Sequence, residues 1–314
     1  MPDTFSLRFS PLQGYTDAVY RQAHARFFGG VDCYYSPFAR VEHGEIRRKD
    51  LRDIAPEANT GLHLIPQLIA PDAPTAARLL TLFAETGWQE ANLNLGCPFP
   101  LLARRHNGAG ILPHPDEVER LLVPLCEQFP QLRLSVKLRL GWEDASECLA
   151  LLPLFNRLPL ADITLHPRLG RQQYKGTVDL DGFRAFYDRC EKPLLYNGDL
   201  LTPSDISRLR EAFPRLSGVL LGRGLLARPS LALEYIRGRA LEQEEMRNAL
   251  RGMHDELFRR YSEQLQGGDH QVLAKMKTLW DYLWPDADRK ARKAVLKATR
   301  LADYLAAVNR LLAL

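Results

Sequence analysis

The chain has 314 residues, 46% hydrophobic and 25% charged, an ordinary globular balance that excludes a mainly disordered chain. A chain this long buries a large core without disulfides. Its formal charge is +4, from 42 Lys and Arg against 38 Asp and Glu, too small an excess to identify a nucleic-acid binder.

Short apolar runs alternate with helix-like stretches along most of the chain. In order, the runs are Leu7–Leu12, Val31–Tyr35, Leu64–Ile69, Glu90–Leu95, Leu134–Leu138, Asp162–Leu165, Pro193–Tyr196 and Gly218–Leu221. Amphipathic stretches such as Ala73–Thr86, Asp116–Gln128, Ser146–Arg157 and Pro203–Ala212 lie between them. Strands separated by helices imply parallel pairing through crossovers. Eight such units in about 235 residues match an α/β fold of the closed (β/α)8 TIM-barrel type; a doubly wound open sheet is the alternative. After about Arg239 no strand-like run remains. Glu242–Gln266, His270–Trp284 and Ala287–Leu312 read as helices. The expected division is a catalytic barrel over 1–238 and an all-helical domain over 239–314.

Cys33, Cys97, Cys126, Cys148 and Cys190 are odd in number and include no C-x-x-C pair. That pattern argues against a zinc site built on cysteine pairs, and no metal is expected. No apolar run approaches the ~20 residues of a membrane span. Met1–Ser10 lacks the basic flank and apolar stretch of a signal peptide. The expected location is the cytoplasm, with no membrane association.

In a barrel, chemistry sits at the C-terminal ends of the strands and in the loops that follow. There the sequence places Ser10-Pro11-Leu12-Gln13-Gly14, Gln67, Asn92 and Asn94, Gly96-Cys97-Pro98, Lys137 with Arg139, His166 with Arg168, Asn197-Gly198-Asp199 and Gly222-Arg223-Gly224. The last two clusters follow strands seven and eight, the usual place of a barrel phosphate site. Alone, Gly-Arg-Gly is more often a turn; beside Asn-Gly-Asp it points to a phosphate-bearing cofactor. The helix beginning near Pro229 is expected to add its dipole, and Arg223 a bidentate clamp. Lys137 either faces solvent at its strand end or points into the mouth to meet an anion, such as a reduced flavin. The other four cysteines fit inert core positions. Cys97 stands where the architecture puts chemistry. A thiol with a reference pKa of about 8.5 can act as an acid at neutral pH, although spacing alone does not separate proton donor from nucleophile.

Taken together, these motifs resemble the tRNA-dihydrouridine synthases. The segment 10–17 (SPLQGYTD) is similar to the family's APMEGVTD opening, 92–98 (NLNLGCP) to its catalytic-loop motif, and 108–112 (GAGIL) to its glycine-rich segment. Residues 136–142 (VKLRLGW), 196–199 (YNGD) and 221–226 (LGRGLL) resemble the lysine strand and the two phosphate-side turns. The order of all six is the family's order. The Lys275-Met276-Lys277 segment before Trp280-Asp-Tyr-Leu resembles the branch acting on position 16 of the D-loop.

The resemblance implies an FMN-binding barrel and a helical tRNA-binding domain. FMN would contact Pro11, Gln67, Lys137, His166, Asn197, Gly198, Asp199, Gly222 and Arg223. Asn94 would help hold the target uracil, and Arg168 would touch tRNA or substrate. NADPH would reduce FMN, whose N5 delivers hydride to C6 of uridine while Cys97 protonates C5. No G-x-G-x-x-G follows a strand, so NADPH is expected to use the same pocket. Reduction of a small pyrimidine, as in dihydroorotate-type enzymes, is the alternative. No obligate protein partner is implied, and a monomer is expected. Three departures stand out: Leu12 replaces the family's Met, Gln13 replaces its Glu, and Pro167 replaces the Gly of His-Gly-Arg-Thr, removing an N–H.

Divided along the chain, the charge becomes informative. From Arg237 onward there are 15 basic and 11 acidic residues, and before it 27 of each. Lys290, Lys293, Lys297 and Arg300 recur at helical spacing and predict one basic face for RNA phosphate. Lys275 and Lys277 are a second candidate patch, while Trp280 and Trp284 read as core.

Overall fold

A computed structural model describes residues 5–313. The strands are β1 (Ser6–Phe9), β2 (Cys33–Tyr35), β3 (Val41–Glu42), β4 (Glu45–Ile46), β5 (Leu64–Ile65), β6 (Gln67–Leu68), β7 (Glu90–Leu95), β8 (Arg133–Gly141), β9 (Ile163–Leu169), β10 (Leu194–Tyr196) and β11 (Gly218–Leu221). Nine form one parallel sheet in the order β5-β2-β1-β11-β10-β9-β8-β7-β6. Its two ends, β5 and β6, are halves of one predicted strand, interrupted at Pro66, which has no N–H to give a ladder. The sheet therefore closes through Pro66 into the expected eight-unit barrel. The β3–β4 hairpin lies outside that count. Its turn, His43 at φ +51° and Gly44 at φ +80°, was not recognised in the sequence.

Alternation along the strands separates two environments. Leu134, Val136 and Leu138 of β8 join the large core between sheet and helices, as do Ala91, Leu93 and Leu95 of β7. Cys33, Tyr35, Ile65, Leu195 and Leu220 form a separate small core from alternate strand positions. Higher in the barrel the alternate positions turn polar: Asn92 and Asn94 on β7, Ser135, Lys137 and Arg139 on β8, Thr164, His166 and Arg168 on β9.

After Arg237 the described residues are helical: Gln243–Gln264, Gly268–Leu279, Arg289–Lys297 and Leu301–Leu311. The expected single helix over Ala287–Leu312 is two, because the chain turns extended at Ala298 (ψ 131°) before Arg300 caps the last one. Trp280 is buried, and its indole N–H donates to Tyr304 Oη at 3.0 Å. The first of these helices packs on the barrel helix Ala18–Phe27. Gly252 permits that approach, since a Cβ there would lie 2.3 Å from the Phe27 ring. No described helix is long and apolar enough to cross a membrane.

Candidate active site

A cavity of about 600 Å³ opens at the C-terminal ends of the barrel strands. Pro11, Gln67, Lys137, His166, Asn197, Gly198, Asp199, Gly222 and Arg223 all line it, together with Asn94 and Cys97. Strand register produces this convergence. Gln67 pairs across from Asn92, Asn94 from Lys137, and Arg139 from His166. Residues two apart on neighbouring strands thus present one polar layer to the mouth.

An amide relay fixes the wall beneath Cys97. Asn94 Nδ2 donates to Gln67 Oε1 at 2.8 Å, Gln67 Nε2 to Asn92 Oδ1 at 2.8 Å, and Asn92 Nδ2 to Ser135 Oγ at 2.8 Å. Asn94 Oδ1 accepts the backbone N–H groups of Gly96 (3.0 Å) and Cys97 (2.8 Å). Asn94 therefore shapes the thiol-bearing turn, and one N–H of its amide is left for a ligand. Cys97 is half-buried, whereas Cys33, Cys126, Cys148 and Cys190 are buried. Burial pushes the Cys97 thiol up, against smaller downward effects of the Phe99 backbone and the Arg139, Arg40 and Lys137 cations. At neutral pH it is a protonated thiol, suited to giving a proton.

The glycine-rich segment buttresses that turn. Ala109 N donates to Cys97 O at 2.9 Å. Gly108 has φ +61°, and a Cβ there would meet Cys97 O at 2.7 Å and Cys97 Cβ at 2.9 Å. Gly108→Ala is thus expected to displace Cys97 and to cost more than about 1 kcal/mol of stability. Thermal unfolding should show the loss, and turnover should fall with it; an unchanged Tm and rate would contradict this reading.

Cations dominate the cavity. Lys137, Arg139, Arg223, Arg40 and Arg47 line it, with Asp199 as the one lining carboxylate among the described residues. Burial and the neighbouring Arg139 push the pKa of Lys137 down to about 7. Among the described residues no carboxylate pairs with it, so it points into the mouth as an unpartnered donor and not to solvent. Burial disfavours the Asp199 anion, but Arg168 and Arg223 outweigh this and hold its carboxyl below the usual range. Arg223 Nη2 lies 2.6 Å from Asp199 Oδ1, and Arg168 grips the same carboxylate. Asp199 thus orients Arg223. The backbone N–H groups of Gly198, Arg223 and Gly224 have no partner among the described residues. These orphan donors with Arg223 fit a phosphate, and unpaired Lys137 fits an anionic ring system. The helix directly after Gly222 is Arg223–Ala227, and the one expected near Pro229 follows it as Leu231–Arg237.

Several expectations need correction. Arg168 is 2% exposed and bonds Asp199, Gly176 O (2.7 Å) and His166 Nε2 (3.2 Å), so it cannot reach RNA. It supports the site from behind. Burial, then the cations Arg139, Lys137, Arg168 and Arg223, hold His166 well below its usual pKa. With Arg168 donating to Nε2, the neutral ring carries its proton on Nδ1. Pro167 lies opposite a register slip between Arg139 and Gly141, as its missing N–H requires. Gln13 donates to Phe38 O at 3.1 Å, a bond that an ionised Glu could not give.

The basic face is smaller than expected. Arg300 lies off the helix and pairs with Asp303 at 2.7 Å. Lys277 donates to Ala298 O at 3.1 Å, and Lys275 pairs with Asp17 at 2.8 Å. Lys290, Lys293 and Lys297 are exposed on Arg289–Lys297, with no carboxylate partner among the described residues. Arg40, Arg47, Tyr174 and Tyr282 also line the cavity, from positions that carry no motif in the sequence. The two arginines come from the unrecognised hairpin. The Tyr174 ring centre stands 5.4 Å from each of the Arg139 and Arg223 guanidiniums. Outside the cavity, ligand atoms of His106, His114 and Glu117 gather within 4.8 Å. The imidazoles stack at 3.9 Å and 17°, so a metal could not lie in both ring planes without ring rotation.

Comparison with known proteins agrees with this geometry. Morphinone reductase shares the barrel, with TM-score 0.54 and 14% identity over 76% of this chain and 87% of that one. A tRNA-dihydrouridine(16) synthase of Neisseria meningitidis is 30% identical over 230 residues, 71% of this chain and 68% of the relative. One of Ralstonia nicotianae is 28% identical over 244 residues, 76% and 74% of the two chains. A tRNA-dihydrouridine synthase B of Pasteurella multocida is 22% identical over 223 residues, 71% and 66%. The pattern described as Dihydrouridine synthase (Dus) matches residues 8–298, and the chain belongs to that family.

Proposed function

We propose that this protein reduces the C5=C6 bond of a uridine in tRNA, with FMN as bound cofactor and NADPH as reductant. The observation that carries the reading is one cavity joining a protonated, half-buried Cys97 to an unpaired Lys137 and a phosphate-type nest of orphan amides. FMN, when bound, supplies a two-electron relay that accepts hydride from NADPH and gives it to C6. The chain's own groups do the rest. Gly198, Arg223 and Gly224 hold the phosphate, and Lys137 places positive charge beside the ring. Pro11, Gln67, His166, Asn197 and Gly222 shape the same pocket, with His166 Nδ1–H as a neutral donor. Cys97 gives its proton to C5 as C6 gains hydride, and the thiolate then recovers a proton from water. The target base must leave its stack, at a cost of a few kcal/mol, to reach this depth.

Lys290, Lys293 and Lys297 are proposed as phosphate contacts. Lys293→Glu with Lys297→Glu is expected to weaken tRNA binding and flatten its salt dependence, with NADPH-driven flavin reduction intact. Equal affinity of the pair and wild type across a salt series would remove the patch from the account. Position 16 is the proposed target, from the names of the relatives and the resemblance of the 275–277 segment. The test is to map dihydrouridine in tRNA from a strain lacking the gene. Loss at position 16 alone supports the assignment; loss elsewhere overturns it.

A further inference from the structure

Two groups of cations stand at the cavity mouth, and a flavin phosphate accounts for one of them. That one is the nest of Gly198, Arg223 and Gly224, after β10 and β11. The other is Arg40 and Arg47, which the chemistry above leaves without a role. Ala39 bridges to Leu68 of β6, donating to Gln67 O at 2.8 Å and accepting Ile69 N at 3.0 Å. Counting β5 and β6 as one strand, β6 and β10 are four strands apart by either route round the barrel. Arg40, the next residue, therefore rises on the side of the mouth opposite the Gly198 turn. The pair is held in place from several directions. Glu42 bridges it: one carboxylate oxygen pairs with Arg40 Nη2, and the other lies 3.3 Å from Arg47 Nε. Arg47 N donates to Arg40 O at 3.3 Å, and Arg40 N to Asp50 Oδ2 at 3.2 Å. Arg78 Nη2 donates to Gly44 O at 3.0 Å, tying the hairpin turn to the barrel helix Ala73–Glu85.

We propose that Arg40 and Arg47 receive the 2′-phosphate of NADPH and so select NADPH over NADH. The proposal rests on the reading above that NADPH reduces FMN in this cavity. Its nicotinamide must meet the flavin ring beside Lys137, so its adenosine end leaves by the mouth. NADPH differs from NADH only by a phosphate monoester on the adenosine ribose, a group that arginine accommodates in nucleotide sites. Here two guanidiniums share one carboxylate, which leaves a positive charge uncompensated. Donors are also left over. Arg40 Nε is buried without a partner, and the Nη nitrogens of Arg47 have none among the described residues. Such planar forks match the oxygens of a phosphate. Glu42 sets their spacing, as Asp199 does for Arg223.

The test is stopped-flow reduction of the FMN-loaded enzyme by NADPH and by NADH. Arg40→Met and Arg47→Met are each expected to lower the ratio of the two second-order rate constants about tenfold. Arg47→Lys keeps the charge but not the fork, and should recover only part of the ratio. Glu42→Gln keeps both cations and should keep the ratio. By calorimetry, wild type should bind adenosine 2′,5′-bisphosphate about tenfold more tightly than adenosine 5′-monophosphate, a difference that Arg47→Met loses. An unchanged ratio in both methionine variants overturns the proposal. If KM for tRNA then rises and its salt slope falls by about one, the pair binds RNA phosphate instead. If only Tm falls, and Glu42→Gln lowers it equally, the cluster is a staple of the hairpin. Should neither nucleotide reduce the wild-type flavin, the functional reading fails separately. Calorimetry still decides: preference for the bisphosphate supports the site, and equal affinity removes it.

Discussion

Cys97→Ala is expected to bind FMN and to accept electrons from NADPH at the wild-type rate, yet to form dihydrouridine about 10²–10⁴-fold more slowly. The thiol is kept protonated chiefly by burial, and its backbone is held by Asn94 below and Ala109 beside it. Of the other lining groups, Asp199 is ionised between two guanidiniums, His166 is neutral, and the phenols of Tyr15 and Tyr174, by nature weaker acids than a thiol, are pushed further up by burial. Lys137 titrates near 7 but belongs with the cofactor's charge. Removing the thiol therefore removes the proton source without touching the phosphate nest or Lys137. Cys97→Ser should recover part of the rate at most, because a hydroxyl is a far weaker acid. Product formation by Cys97→Ala at the wild-type rate would end the acid role.

Lys137→Met is the second large effect. A lysine whose pKa is pressed down to about 7 is charged below that pH and loses its proton above it. In the unfolded chain lysine titrates near 10.4. The cofactor-free protein thus carries the full cost of the buried charge below pH 7. It gains stability as pH rises from 7 toward the unfolded value. An anionic ring beside Lys137 reverses that preference. The variant is accordingly expected to raise the Tm of the cofactor-free protein below pH 7, while weakening FMN binding and slowing flavin reduction about 10²-fold or more. The wild type's preference for reduced over oxidised FMN, read from the flavin's reduction potential, should weaken across neutral pH with a step that Lys137→Met lacks. The same step in both proteins would place the titrating group elsewhere.

The barrel and most of its site were legible because both depend on alternation. A strand such as Glu90–Leu95 shows its period of two directly: Ala91, Leu93 and Leu95 enter the core, and Asn92 and Asn94 face the other way. Once a strand end is found, the lining residues follow by counting, which is why Gln67, Asn94, Lys137, His166 and Asn197 meet in one cavity. What escaped lies where contacts are long-range. Arg40 and Arg47 reach the mouth from a hairpin whose strands are two residues each, too short for any periodicity. Tyr282 arrives from a distant helical segment. Arg168 keeps the alternation that marked it, yet β9 runs on to Leu169, and the residue ends among Asp199, His166 and Gly176, not at the surface. The basic face shrank for a related reason. Spacing of three and four implies one face only while the helix continues, and the break at Ala298 puts Arg300 on another element.

The most direct measurement is mass spectrometry of unmodified tRNA incubated with the FMN-loaded protein and NADPH. One uridine is expected to gain two hydrogens with NADPH consumed in equal amount, while free uracil and orotate stimulate no NADPH oxidation. NADPH oxidation driven by a free pyrimidine, with tRNA left unchanged in mass, would contradict tRNA as the substrate.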